Sequence, residues 1–216
     1  MKIDLHTHSC YSYDGLSSPR EMLLVAREKG LAGIALTDHD TTKGWDEALV
    51  AAEELKMLIV LGEEIKTERG DILGLFLKEE IKSRRAEEVI KEIRAQGGLV
   101  VIPHSFHFFE RFCGLEMYKE LLDGIEVFNA RLPFYRADES ALVFAQKNNL
   151  AMTAGSDAHY CSGVGYAYTT VKTAENLEEF KAGILEKRSL AEGQKSPLFH
   201  LIFPLLGKIK SFINSA

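Results

Sequence analysis

Five of the chain's seven histidines stand in short polar clusters. His6 and His8 form a His-x-His pair, followed by Asp14; Asp38, His39 and Asp40 lie in "LTDHDT"; Glu63 and Glu64 in "GEEIKT"; His104 in "IPHSF"; Asp157 and His159 in "TAGSDAH". Imidazole nitrogen and carboxylate oxygen, without thiolate, suit zinc, manganese or iron, and one carboxylate can bridge two ions. The set predicts a multinuclear metal site. Singly, each cluster has a plainer reading: packing histidines, a solvated "DHD" turn, a charged strand end at "GEE", a helix start capped by Ser156 or Asp157.

Their position along the chain decides between these readings. Apolar runs that read as strands cover residues 2–8, 33–38, 57–66, 71–77, 99–103, 124–128, 150–154 and 165–171; helical patterns cover about 19–30, 44–56, 84–96, 116–122, 137–148 and 177–187. Each of these polar clusters is expected at the end of such a strand. In parallel α/β folds those ends share one face, where active sites are built. The repeated strand-helix unit predicts one domain with a mostly parallel sheet, closed into a barrel. Strand alternation over residues 2–8 places Asp4, His6 and His8 on one face and Ile3, Leu5 and Thr7 on the other.

Composition narrows the class. A net charge of −6 over 216 residues gives no broad basic field, so a large nucleic-acid interface is not expected, although a short strand end or a small phosphate remains open. Three cysteines, Cys10, Cys113 and Cys161, form no Cys-x-x-Cys pair and no disulfide framework, which fits a reducing cytoplasm. No secretory leader and no membrane span is expected.

The ordered motifs "HTHSCYSYDG", "LTDHDT", "GEEIKT", "IPHSF", "IEVFNAR" and "TAGSDAH" resemble the polymerase-and-histidinol-phosphatase (PHP) family over about residues 1–190. The resemblance implies a distorted seven-stranded β/α barrel holding two or three divalent ions (Mn, Fe or Zn, with Mg as a further candidate) and hydrolysing phosphoesters. It implies that His6, His8, Glu64 and Asp157 hold a first ion, with Glu64 bridging to a second that His104 helps to bind, and that Asp14, His39 and His159 hold a third. Glu63 then faces away. Asp71 stands where the family commonly has histidine; as a ligand it shifts preference toward harder ions. Ser105 replaces a common proline, and "FHFFERFCG" is aromatic where relatives tend to be basic.

Three divalent ions against the carboxylates of Asp14, Glu64, Asp71 and Asp157 leave a net positive site suited to a phosphate monoester dianion, attacked in line by an activated water. Arg131, and after it Arg111, are candidates for a bidentate phosphate clamp. Asp4, Asp38 and Asp40 are candidate partners for the imidazole N–H groups. His159 is a candidate proton donor to the leaving group unless it is a ligand, in which case water takes that role. Phe106, Phe108, Phe109 and Phe112 fit either stacking on a base or sugar, or packing. Cys10 and Cys161 are expected near one another at the barrel mouth, and His107 and His200 as ordinary surface or packing residues. Residues 191–216 read as an amphipathic extension packing on the barrel or on a second subunit, with peripheral membrane contact a weaker alternative.

The expected substrate is a small phosphorylated metabolite, a nucleotide, or the end of a short oligonucleotide. The competing readings are amide or lactone hydrolysis, since amidohydrolase barrels also begin with His-x-His, and a non-catalytic metal-binding module. The set Asp14, His39 and His159 speaks against the first.

Overall fold

The computed structural model describes residues 1–107 and 111–215. Its strands are β1 (Lys2–Asp4), β2 (Gly33–Leu36), β3 (Leu58–Thr67), β4 (Gly70–Leu75), β5 (Leu99–Ile102), β6 (Gly124–Asn129), β7 (Ala151–Gly155), β8 (Ala167–Thr170) and β9 (Leu190–Gly193). The helices are α1 (Pro19–Glu28), α2 (Trp45–Leu55), α3 (Ala86–Ala95), the short α4 (Leu115–Tyr118), α5 (Tyr135–Lys147), α6 (Leu177–Leu185) and α7 (Phe203–Ser215).

One sheet runs in the order β7-β6-β5-β4-β3-β2-β1-β8-β9. It curls until β7 comes beside β8, which gives the expected α/β barrel, nearly closed. The seam between them is made by side chains. Thr169 Oγ1 accepts from the Ala154 amide (2.9 Å) and lies 3.0 Å from the Ala154 carbonyl, and Ser189 Oγ donates to the Met152 carbonyl (2.8 Å).

The expectation of a mostly parallel sheet needs correction. Four pairings are parallel (β1–β2, β2–β3, β5–β6, β6–β7) and four antiparallel (β3–β4, β4–β5, β1–β8, β8–β9). The two residues between β3 and β4 are far too few for a parallel crossover, which takes a dozen or more. β9 has no apolar alternation and went unread.

Local sequence explains the helices. Ser18 and Glu21 form a reciprocal capping box, and Pro19 occupies the first turn of α1. Asn176 caps α6 through the Glu179 amide. Met22, Leu23, Ile90 and Ile93 from the helices bury against Ile34, Leu36, Ile65, Ile72, Val100 and Ile102 on the outer face of the sheet. The opposite face carries Ile3, Leu5, Ala35, Val60, Leu73, Leu75, Leu99 and Val101, joined by Phe180 and Ile184 of α6, and fills the barrel interior. Glu64 lies opposite Leu73, itself opposite Val101. This carboxylate therefore stands on the interior face above an apolar floor.

The first strand is shorter than expected and ends at Asp4, before His6. Ile3 and Leu5 join the interior, and the chain leaves strand geometry before the two histidines, so Asp4 does not share their face. Among the described residues no helix is long and apolar enough to cross a membrane.

Candidate metal centre

Glu64 is the hub of the site. Its Oε2 lies 3.2 Å from Nε2 of His6, Nε2 of His8 and Nδ1 of His39, while Oε1 lies 3.0 Å from Nε2 of His104. β3 alternation supplies this: Glu64 points in, and Glu63 points out, where its Oε2 accepts from the Ile81 amide. Four overlapping sets each bring donor atoms within 4.8 Å of one another: His6, His8 and Glu64; Glu64, Asp71 and His104; His8, Asp14, His39 and His159; His6, His104 and Asp157. All nine residues expected as ligands are thus brought together.

Two of these residues sit where the chain turns out of a strand. His104 and Asp157 follow β5 and β7 with φ of 29° and 53°, conformations that residues bearing a Cβ rarely adopt and that cluster at functional sites. At Gly155, just before this second turn, an added Cβ would fall 2.3 Å from Cβ of His6, so only glycine lets the two segments approach.

Two imidazoles are oriented by their second nitrogen. His6 Nδ1 lies 3.0 Å from Glu126 Oε1, and His159 Nδ1 lies 3.0 Å from the Asp157 carbonyl. A carboxylate or carbonyl partner can only accept, so both rings carry a proton on Nδ1, which leaves Nε2 as the nitrogen that would meet a cation once any proton on it is lost. Glu126 also accepts through Oε2 from the His104 amide and from Asn129 Nδ2, and Asn129 Nδ2 reaches Asp157 Oδ2. Glu126 and Asn129 lie within "IEVFNAR" but were given no role from sequence. The available signal was a carboxylate inside an otherwise apolar strand.

Electrostatics fit a cation site. Burial lowers the imidazoles, yet the surrounding carboxylates outweigh it, holding His6 well above its ordinary range and His8 and His104 up at about 9. Burial and the charge of His8 bring His159 down to about 4. Against the cost of burial, the imidazoles keep Glu64 far below the usual carboxylate range, and Arg131 with His6 and His8 does the same for Asp157. Burial beside Glu64 raises Asp71 to about 6. Among the described residues, Nδ1 of buried His8 and Nδ1 of His104 lack a hydrogen-bond partner, and His8 Nε2 meets only the carboxylates of Glu64 and Asp157, at 3.2 and 3.5 Å. Unsatisfied buried nitrogens beside ionised carboxylates are what divalent ions would satisfy, so the residues fit a multinuclear metal group.

Other expected residues fall differently. Asp4 accepts from the amides of Ser156 and Gly165 (2.8 Å each) and of His6 (3.3 Å), fastening loops instead of meeting an imidazole. Asp38 accepts from the amide and hydroxyl of Ser9. Asp40 accepts from the Lys66 amide and pairs with Arg84 at 2.9 Å, although it lines the site cavity. These carboxylates face backbone donors because the turns that carry them leave amides unpaired. Arg131 lines the cavity, with Nε donating to Asp157 Oδ2 at 2.7 Å. Arg111 lies elsewhere, in a separate cavity of about 890 Å³ with Phe106, Phe112 and Phe134. Phe112 is buried edge-on against Tyr118, a packing role; Phe108 and Phe109 lie outside the described residues. His200 is buried among Tyr166, Phe199 and Phe203. The amides of Cys10 and Cys161 donate to the carbonyl and hydroxyl of the same residue, Ser17, and both thiols are free.

The C-terminal segment, beyond the residues 1–190 over which the sequence motifs resemble the family, borders the site. Pro204 and Lys208 of α7 line a cavity of about 140 Å³ together with the expected ligands other than His6 and His8, and Tyr160 packs on Phe203 with centroids 4.6 Å apart.

The family model described as PHP domain matches residues 4–213. An uncharacterised protein of Methanocaldococcus jannaschii is 40% identical over 141 residues, covering 60% of this chain and 82% of its own. A 5'-3' exoribonuclease of Haemophilus influenzae is 47% identical over 66 residues, 31% of this chain and 24% of that one. Among solved structures, a two-domain protein from Bacteroides vulgatus containing a predicted PHP-like metal-dependent phosphoesterase superposes with a TM-score of 0.77 at 24% identity, over 90% of this chain and 65% of that one.

Proposed function

Since the chain belongs to the PHP domain family, we propose that it is a metal-dependent phosphoesterase that hydrolyses phosphate monoesters of a small metabolite or nucleotide, or at the end of a short oligonucleotide. The observation that carries this reading is the fourfold contact of Glu64 with His6, His8, His39 and His104 beside a cavity lined by Arg131. In it, His6, His8, Glu64 and Asp157 would hold one ion, Glu64, Asp71 and His104 a second, and Asp14, His39 and His159 a third. The ions, when bound, supply Lewis-acid charge to the phosphoryl oxygens and acidify water to a nucleophile at neutral pH.

The protein's own groups position the reaction. Arg131 orients Asp157 through Nε, and its planar fork matches a phosphoryl group entering the cavity. Glu126 and the Asp157 carbonyl fix the tautomers of His6 and His159. His159, low in pKa and turned toward Asp14 at 3.3 Å, serves as a ligand, so the leaving alkoxide takes its proton from solvent. Asp38 and Asp40 act by holding the turn that carries His39. The free cysteines support a cytoplasmic setting.

The test is phosphate release by metal-stripped protein refilled separately with Mn, Fe, Zn and Mg, across sugar, amino-alcohol and nucleotide phosphates and short RNA. Metal-dependent release from monoesters is expected. Silence in every metal, with bound ions demonstrated, would overturn the reading.

A further inference from the structure

α7 is seated directly on the segment that presents Asp14. A Cβ added at Gly207 would fall 2.0 Å from the Asp14 carbonyl oxygen, so the helix backbone touches the ligand's own backbone with no side chain between. One residue on, Lys208 reaches the site cavity and places Nζ 5.5 Å from the centre of the Tyr13 ring, which in turn stacks on His39 at 5.0 Å.

Lys208 has no ion-pair partner among the described residues, although its cavity is lined by five carboxylates. Arg131, in the same cavity, is committed to Asp157. A lysine placed to neutralise the acidic cluster would pair with it. With divalent ions on the carboxylates, Lys208 would add its charge to that of the ions, Arg131 and Lys66 around one cavity, an arrangement that an anion bound there would stabilise. The cavity, about 140 Å³, is well above the roughly 10–15 Å³ that one water needs, so a small anion can enter it.

We propose that Lys208 contacts the substrate's phosphoryl group, which makes α7 part of the substrate-binding surface; this rests on the phosphoesterase reading above. An ammonium beside a doubly charged phosphoryl oxygen set favours the monoester dianion over a diester, so the helix contributes to substrate choice as well as to affinity.

The test is calorimetric titration of inorganic phosphate into manganese-loaded protein, with metal content measured on each sample. Lys208→Gln should weaken phosphate binding about tenfold to a hundredfold with metal content unchanged, and Lys208→Arg should restore most of it. Steady-state hydrolysis of p-nitrophenyl phosphate should show KM raised by Lys208→Gln more than kcat is lowered. Phosphate affinity of Lys208→Gln within twofold of the unmodified protein, or no phosphate binding by metal-loaded unmodified protein, overturns the proposal. Phosphate binding that depends on Lys208 in a protein that hydrolyses no phosphoester would overturn the phosphoesterase reading and leave this contact standing.

Discussion

The Glu126 carboxylate lies 3.0 Å from Nδ1 of His6, in a part of the barrel where neither residue sees solvent. Its two oxygens receive three donors, from His6, the His104 amide and Asn129. Glu126→Gln keeps one acceptor oxygen and turns an NH2 group either toward the His104 amide and Asn129 Nδ2, which cannot accept, or toward His6 Nδ1, which accepts only by moving the ring proton to Nε2. The expected result is metal affinity lower by about tenfold to a hundredfold, read by competition with a chelating indicator, with the fold intact by circular dichroism.

Glu64 is shared between two donor sets, whereas Asp71 belongs to one. Glu64→Gln should therefore cost more than one ion per chain, and Asp71→Ala at most one. Elemental analysis of the purified variants after equilibration with manganese measures this.

Asp71 places a hard oxygen donor beside His104 and Glu64. Asp71→His should raise the ratio of zinc-supported to manganese-supported activity, because imidazole is the softer ligand. Rates with each metal, normalised to metal content, give the ratio.

Metal binding is linked to pH through His8 and His104. Both carry protons up to about 9 in the metal-free protein, and both must shed them to bind a cation. Apparent metal affinity should rise with pH through the neutral range and level off above about 9. Titrations in buffers of differing ionisation enthalpy report the protons released.

Glu63 gives a stability prediction of opposite character. Burial raises its carboxyl from 4.5 to about 7, so the folded state binds the proton more tightly than the unfolded chain does. Below pH 4.5 this costs nothing; between 4.5 and 7 the folded state loses relative stability, and above 7 the loss is complete. Glu63→Gln, whose amide oxygen can still accept from Ile81, should stabilise the metal-free protein by up to ~3 kcal/mol at pH 8 and by nothing at pH 4. Urea unfolding at the two pH values measures the difference.

Much of the site was legible because metal ligation leaves a chemical trace in sequence. His6, His8, His39, His104 and His159 are polar residues where apolar strands end, and that anomaly survives without coordinates. Glu126 was not read from the same logic because it meets the centre through another side chain and sits inside a strand. Asp4 and Asp38 were misplaced since periodicity gives the side of a strand, not the hydrogen bonds that a turn demands once the strand stops. The strand-helix alternation showed a barrel, but antiparallel pairing depends on connection length, and β9 on a partner strand. The proximity of α7 to Asp14 is a long-range contact that no local pattern encodes.

The seam of the barrel hangs on hydroxyl groups. Thr169 of β8 occupies the main-chain N–H and C=O of Ala154, and Ser189 the carbonyl of Met152, on the side of β7 that faces β8 without a main-chain ladder. An uncovered strand edge is a template for pairing with another molecule. Those two hydroxyls thus satisfy the edge groups of β7 from within the barrel, and a change as small as Thr169→Val, which removes the oxygen, would leave the N–H and C=O of Ala154 without these bonds, close to the turn that holds Asp157.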